Sequence, residues 1–149
     1  MYHPPFADLL SFYYGPDPFE AGIKVTPNNG KMALATRDEL AEAHAEILST
    51  PGHENKTYSL GESHAISFSD IAKILSGIKG QPVSFTTITA EKYIDGIVAQ
   101  GVARHVAEFI AGWVLAIEGG EFEYQPGDWE RLLGRKTKPF RELIETTLA

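Results

Sequence analysis

The 149-residue chain has no cysteine, which excludes disulfides and thiolate metal sites. Long apolar runs are missing too. The longest, Phe109 to Ile117, is far too short to span a bilayer, so no membrane association is expected. Basic side chains are in deficit, 13 against 20 acidic ones, and the net charge is −7. Such a chain repels phosphate backbones, which argues against general nucleic-acid binding. Met1 is followed by Tyr2-His3-Pro4-Pro5, without the basic start and apolar segment of a secretory leader, so a cytoplasmic protein is expected.

Familiar catalytic signatures are also absent. There is no G-x-G-x-x-G turn, no P-loop and no Tyr-x-x-x-Lys pair. The five histidines, His3, His44, His53, His64 and His105, lack the spacing of a helical ligand pair, so no metal site is expected.

What remains is an ordinary globular balance, 43% hydrophobic and 22% charged. Residues Phe6 to Tyr14 place Phe6, Leu9, Leu10 and Tyr13 at helical spacing, and Gly15-Pro16-Asp17-Pro18 stops the helix. Ile23–Thr26 and Lys31–Ala35 read as short strands around the turn Pro27-Asn28-Asn29-Gly30. Thr36 with Glu39 has capping-box form and opens a helix whose Leu40, Ala43, His44 and Ile47 share a face. His44 then reads as a packed or partly exposed histidine. Thr57–Leu60 reads as a strand. Ser67 caps a helix that buries Phe68, Ile71, Ile74, Leu75 and Ile78. Pro82–Ile88 alternates as a strand. Helices are expected from Thr89 to Val98, from Val102 to Glu118, from Trp129 to Leu133, and from Thr137 to Leu148 with Phe140, Leu143, Ile144 and Leu148 inward. The fold class is therefore α/β, mainly helical with a few short strands. Residues 1–149 read as a single domain or fragment, with an aromatic N-terminal segment over 1–29.

Two stretches invite a functional reading. Gly61-Glu62-Ser63-His64-Ala65 is close to G-x-S-x-G, the strand-to-helix turn that presents a nucleophilic serine. The fifth position is alanine, however, and the helix start is at Ser67, four residues later. A plain strand-to-helix loop accounts for it. The second stretch is the aromatic start: Phe6, Phe12, Tyr13, Tyr14 and Phe19 lie within fourteen residues. They could line an apolar pocket for a flat ligand, or simply fill a core. The basic cluster Arg131, Arg135, Lys136, Lys138 and Arg141 reads either as a solvated helix end or as a docking face for an acidic partner.

The order of these pieces resembles the C-terminal half of NmrA-like proteins, atypical members of the short-chain dehydrogenase/reductase superfamily. The similarity is carried by Gly30-Lys31, Arg37-Asp38, Gly52-His53, Lys56, Tyr58-Ser59-Leu60, Ser67-Phe68, Asp70-Ile71-Ala72, Gly134-Arg135 and Pro139. The family includes NAD(P)H:quinone oxidoreductases and redox-sensing regulators. It begins with a Rossmann half carrying the glycine-rich phosphate turn, which this sequence does not contain. The resemblance therefore implies the substrate-side part of a Rossmann-type, quinone oxidoreductase-like protein, without complete activity by itself. A non-catalytic redox-sensing or protein-binding module is the alternative. NAD(P)H is implied for the full-length family protein, and no cofactor is expected on this chain alone. Phe6, Tyr13 and Tyr14 are the expected pocket wall, for an acceptor such as a quinone. No residue has a motif-level claim to catalysis. A homo-oligomer, or association with a Rossmann half, is expected to cover the apolar surface such a half would leave bare.

Overall fold

The computed structural model describes residues 4–26, 29–61, 64–123 and 128–148. The predicted first helix is two pieces, a 3-10 turn over Ala7–Leu9 and α1 over Leu10–Tyr14, with Leu9 outside the α conformation at their junction. The short helix α2 (Pro18–Ala21) follows, capped by Asp17 and opened by proline. Strand β1 (Ile23–Val25) comes next, then β2 (Lys31–Met32), α3 (Arg37–Ser49), β3 (Ile66–Ser67), α4 (Phe68–Lys79) and β4 (Phe85–Thr87). The chain closes with α5 (Ala90–Val98), α6 (Arg104–Glu118), α7 (Trp129–Leu133) and α8 (Phe140–Thr147). The architecture is α/β, mainly helical with few and short strands.

Strands β1 and β4 pair in parallel, with Ile23 opposite Phe85 and Val25 opposite Thr87. β2 and β3 pair antiparallel over two residues each. The predicted strand over Pro82–Ile88 shrinks to three residues because β1 offers only three partners, and Pro82 has no N–H to give. Thr57–Leu60 does not form the expected strand: within it only Ser59 carries a bridge. Its alternation persists all the same, since Tyr58 and Leu60 are both buried. Lys31–Ala35 is likewise broken. Beyond Met32 its backbone turns to other partners: Ala33 donates to Phe122 O at 2.8 Å, and Ala35 bridges Phe6.

Two cores form. The larger gathers α1, β1, α4, α6 and α8, with Leu10, Ile23, Phe68, Leu75, Val114 and Ile144 fully enclosed. The smaller joins α3 to α7 through Leu40, Ala43, Tyr58, Leu60 and Trp129. Leu148, expected inward, is 37% exposed because it lies beyond the last turn of α8.

Caps hold the helix starts where the sequence places them. Thr36 accepts from Glu39 N, and Thr89 from Lys92 N. Ser67 and Asp70 complete a reciprocal capping box. The Ser67 hydroxyl, bonded at 2.6 Å, together with Lys73, holds the Asp70 carboxyl below the usual range. Gly30 lies against the C-terminus of α6. A Cβ there would come within 2.5 Å of Glu118 Cα and closer still to Ile117 O. That explains the glycine of Gly30-Lys31: a side chain would collide with helix backbone.

Candidate functional site

Helices α1 and α6 cross with a cavity of about 350 Å³ between them. The chain start contributes Pro4, Pro5 and Phe6, and the 3-10 turn contributes Leu9. Phe12 and Tyr13 come from α1; Phe109, Ile110 and Trp113 come from α6. The described lining residues include no charged side chain. Their polar side-chain groups are the Tyr13 hydroxyl and the Trp113 indole N–H.

The walls are packed and the rim is exposed. Tyr13 is 8% exposed and meets Phe68 edge-on, with ring centroids 6.4 Å apart. Tyr93, from α5, donates its hydroxyl to the Tyr13 carbonyl across 80 positions of sequence, tying α5 to the end of α1. Burial pushes the Tyr13 phenol above its ordinary pKa. Burial, and then the Tyr13 phenol itself, push Tyr93 further still. Both hydroxyls therefore stay protonated at neutral pH. Trp113 stacks on Phe122 at 5.2 Å and 20°. It receives the edge of Phe109 at 6.3 Å and 75°. Phe12 and Phe109 stand at the mouth, 61% and 67% exposed.

Of the three residues expected to form a pocket wall, Phe6 and Tyr13 line this cavity. Tyr14 does not; it is buried in the larger core. The α6 contribution escaped sequence reasoning. Its signal is present, because α6 carries two apolar stripes. Ala107, Ala111, Val114 and Ile117 face the core. Val106, Phe109, Ile110 and Trp113 make a second stripe at i, i+3, i+4, i+7, more than one buried face requires.

The serine motif and the basic cluster find less support. Ser63 lies outside the described residues. The strand-to-helix junction nearby is made by Ser67, which is occupied as a helix cap. Among the described residues no cluster of three histidine, aspartate or glutamate side chains could hold a metal ion. His44 is partly buried and bonded through Nδ1 to the Leu40 carbonyl. The basic cluster is largely matched by acids. Arg131 meets Asp128 at 2.6 Å, and Arg135 meets both buried Glu39 at 3.3 Å and Glu42 at 2.7 Å. Lys138 pairs with Glu142 and Arg141 with Glu145. No helix of the described residues is long and apolar enough to cross a membrane.

A dinucleotide does not fit these residues. Its pyrophosphate needs backbone N–H groups at a helix N-terminus behind a glycine turn, or cations. The chain has no such turn, and the cavity has no cationic wall.

No protein-family model matches the chain. Over 131 residues it is 28% identical to quinone oxidoreductase 2 of Escherichia coli (strain K12), covering 87% of this chain and 46% of that protein. It is 22% identical over 132 residues to the NmrA-like family domain-containing oxidoreductase flvB of Aspergillus flavus, covering 87% and 43%. The triphenylmethane reductase of Citrobacter sp., solved with NADP(H), superposes with a TM-score of 0.87 at 31% identity, over 98% of this chain and 51% of that one. The chain thus spans about half the length of the curated relatives it matches.

Proposed function

We propose, for a chain related to the NmrA-like oxidoreductases, that it is the acceptor-binding part of an NAD(P)H-dependent reductase acting on quinone-like aromatic compounds. The observation that carries this reading is the cavity of about 350 Å³ between α1 and α6, walled by aromatic rings and free of charged lining residues. Cavities of this kind, near the lower end of the usual range of about 300–1,000 Å³, take small flat ligands. Phe6 and Tyr13 form part of its wall, and α6 supplies the rest. The Tyr13 hydroxyl, protonated at neutral pH as any phenol is, is the proposed donor to an acceptor's carbonyl oxygen.

The cofactor would be held by residues other than these. No step of hydride transfer is assigned to a side chain of this chain. The mouth, with Phe12 and Phe109 exposed, would be covered by a nucleotide-binding part or by a second copy, in a cytoplasmic setting.

Titration of the 149-residue chain with menadione and with NADPH tests the reading. Saturable menadione binding near micromolar, lost in Trp113→Ala, with no NADPH binding up to millimolar, is the expected pattern. Micromolar NADPH binding would overturn the division of labour; absence of menadione binding would overturn the pocket. The regulatory alternative has less behind it, since Arg131, Arg135, Lys138 and Arg141 of the basic cluster that would dock an acidic partner already meet Asp128, Glu39, Glu42, Glu142 and Glu145.

A further inference from the structure

We infer that Asn29 is a self-modification site. Its side-chain amide cyclises onto the nitrogen of Gly30 and becomes a carboxylate, and a clasp formed by Ser69 and the end of α6 sets the rate.

The chemistry needs only the chain and water. The backbone nitrogen of Gly30 attacks Cγ of Asn29 and gives up its proton. The Cγ–Nδ2 bond breaks, and ammonia leaves with that proton. Water then opens the cyclic imide at either carbonyl, giving aspartate or isoaspartate at position 29. No electrons are exchanged. Glycine is the most permissive following residue, since it has no side chain to obstruct the attacking nitrogen. Asn29-Gly30 is the only Asn-Gly step of the sequence.

The fold holds this step closed from two sides. Asn29 sits in the left-handed region, with φ 45°. Its amide is engaged at both ends by Ser69: Nδ2 donates to Ser69 Oγ at 3.0 Å, and Oδ1 accepts from Ser69 N at 3.2 Å. The Ser69 hydroxyl is fixed in turn. The Ser67 hydroxyl donates to Asp70 at 2.6 Å, so the 3.0 Å contact between the serines is a donation from Ser69 to Ser67. The Asn29 amide, Ser69, Ser67 and the Asp70 carboxylate thus form a directed chain of hydrogen bonds. On the other side, Gly30 lies against the end of α6, where a Cβ would strike Ile117 O and Glu118 Cα. For Gly30 N to reach Cγ, the amide must leave Ser69 and the 29–30 peptide must turn against that helix backbone. Cyclisation therefore proceeds from a locally opened state. Loss of ammonia is slow beside such openings, so its rate reads the open fraction. The product carboxylate can only accept, so the donation from residue 29 to Ser69 is lost. A negative charge joins a network that already carries Asp70.

The 149-residue chain is incubated at mildly alkaline pH, folded and in guanidinium chloride, and sampled over days. Trypsin cuts after Lys24 and Lys31, and fragment ions of the released peptide place the unit gain in mass on Asn28 or Asn29. Conversion is expected at Asn29 ahead of Asn28, and slower in the folded chain by at least about tenfold. Ser69→Ala removes one hydrogen bond of the clasp and should speed the folded chain about two- to tenfold, with the denatured rate unchanged. Ser69→Thr keeps the hydroxyl and should stay within about twofold of the parent. A folded rate equal to or above the denatured rate would overturn the clasp. So would an unchanged rate in Ser69→Ala, or the same acceleration in Ser69→Thr. A denatured chain that converts first at Asn28, or not at all, would overturn the site itself.

Discussion

Replacing Tyr93 by phenylalanine removes one oxygen from the interior and should loosen the wall of the cavity. The hydroxyl is buried and donates to the carbonyl of Tyr13, which closes α1. A net hydrogen bond contributes about 0.5–1.5 kcal/mol, and an acceptor left dry costs about 1–3 kcal/mol. The ring stays, so no cavity term is added. A loss of about 1.5 kcal/mol is expected. For a domain of this size that is a fall in Tm of roughly 3–6 °C. The same change has a signature in alkali. Burial raises both the Tyr13 and Tyr93 phenols above their ordinary pKa, so the folded state keeps protons that the unfolded chain gives up. This contribution to stability is whole below about pH 10 and falls as pH rises beyond it. In Tyr93→Phe one of the two groups is gone, so the fall between about pH 10 and pH 11.5 should be shallower. Urea unfolding at neutral pH and across the alkaline range measures both effects. An unchanged midpoint at neutral pH, or an alkaline slope equal to that of the unchanged protein, would refute the tie between α5 and α1. Ligand binding adds a third readout: with α1 less firmly held, affinity at the Tyr13 wall should drop several-fold while the Trp113 side is intact.

Gly30→Ala should destabilise by about 2 kcal/mol or more, because the new methyl meets the backbone of Ile117 and Glu118 rather than a yielding side chain. Since α6 carries Phe109, Ile110 and Trp113, the same variant should change Trp113 emission; thermal melting with an unaltered emission maximum and Tm would count against the close approach. Ser67→Ala removes half of the capping box and should cost about 1 kcal/mol. It should also flatten the acid limb. Asp70 is held below its ordinary pKa chiefly by the Ser67 hydroxyl, so its contribution is present above about pH 4 and is lost as pH falls further. Denaturation at pH 7 and pH 3 compares the two; a cap loss equal at both pH values would show that the Asp70 carboxylate is not coupled to the serine.

The helices were legible because their signals are local. Thr36 with Glu39, Ser67 with Asp70, and Thr89 with Lys92 each satisfy a backbone donor within three residues, and those bonds form as expected. The glycine of Gly134 closes α7 in the left-handed conformation for the same local reason. Strands were read less well. Val83 and Phe85 alternate like a longer strand, but ladder length is decided by the partner, and β1 is three residues long. Tyr58 and Leu60 alternate as they fill the second core, and within 57–60 only Ser59 carries a bridge. At the cavity, the aromatic density around Phe6 and Tyr13 marked one wall. Tyr14 shared that density and went to the core. One residue step rotates a helix by about 100°, and sequence spacing fixes relative directions, not which direction finds space.

By itself, then, the sequence determined an acidic, cysteine-free α/β chain, the places of its longer helices with their caps, and the aromatic character of its start. Each of these follows from composition or from contacts only a few residues apart. Tertiary structure decided that α1 and α6, about a hundred positions apart, face each other across a void, and that Phe109, Ile110 and Trp113 close it. It also decided that Tyr93 secures Tyr13, and that Arg135 meets Glu39 and Glu42 of α3. These are contacts between distant segments. Which of two apolar stripes on a helix meets the core and which meets a cavity depends on what packs opposite, and that is written in no single stretch of chain.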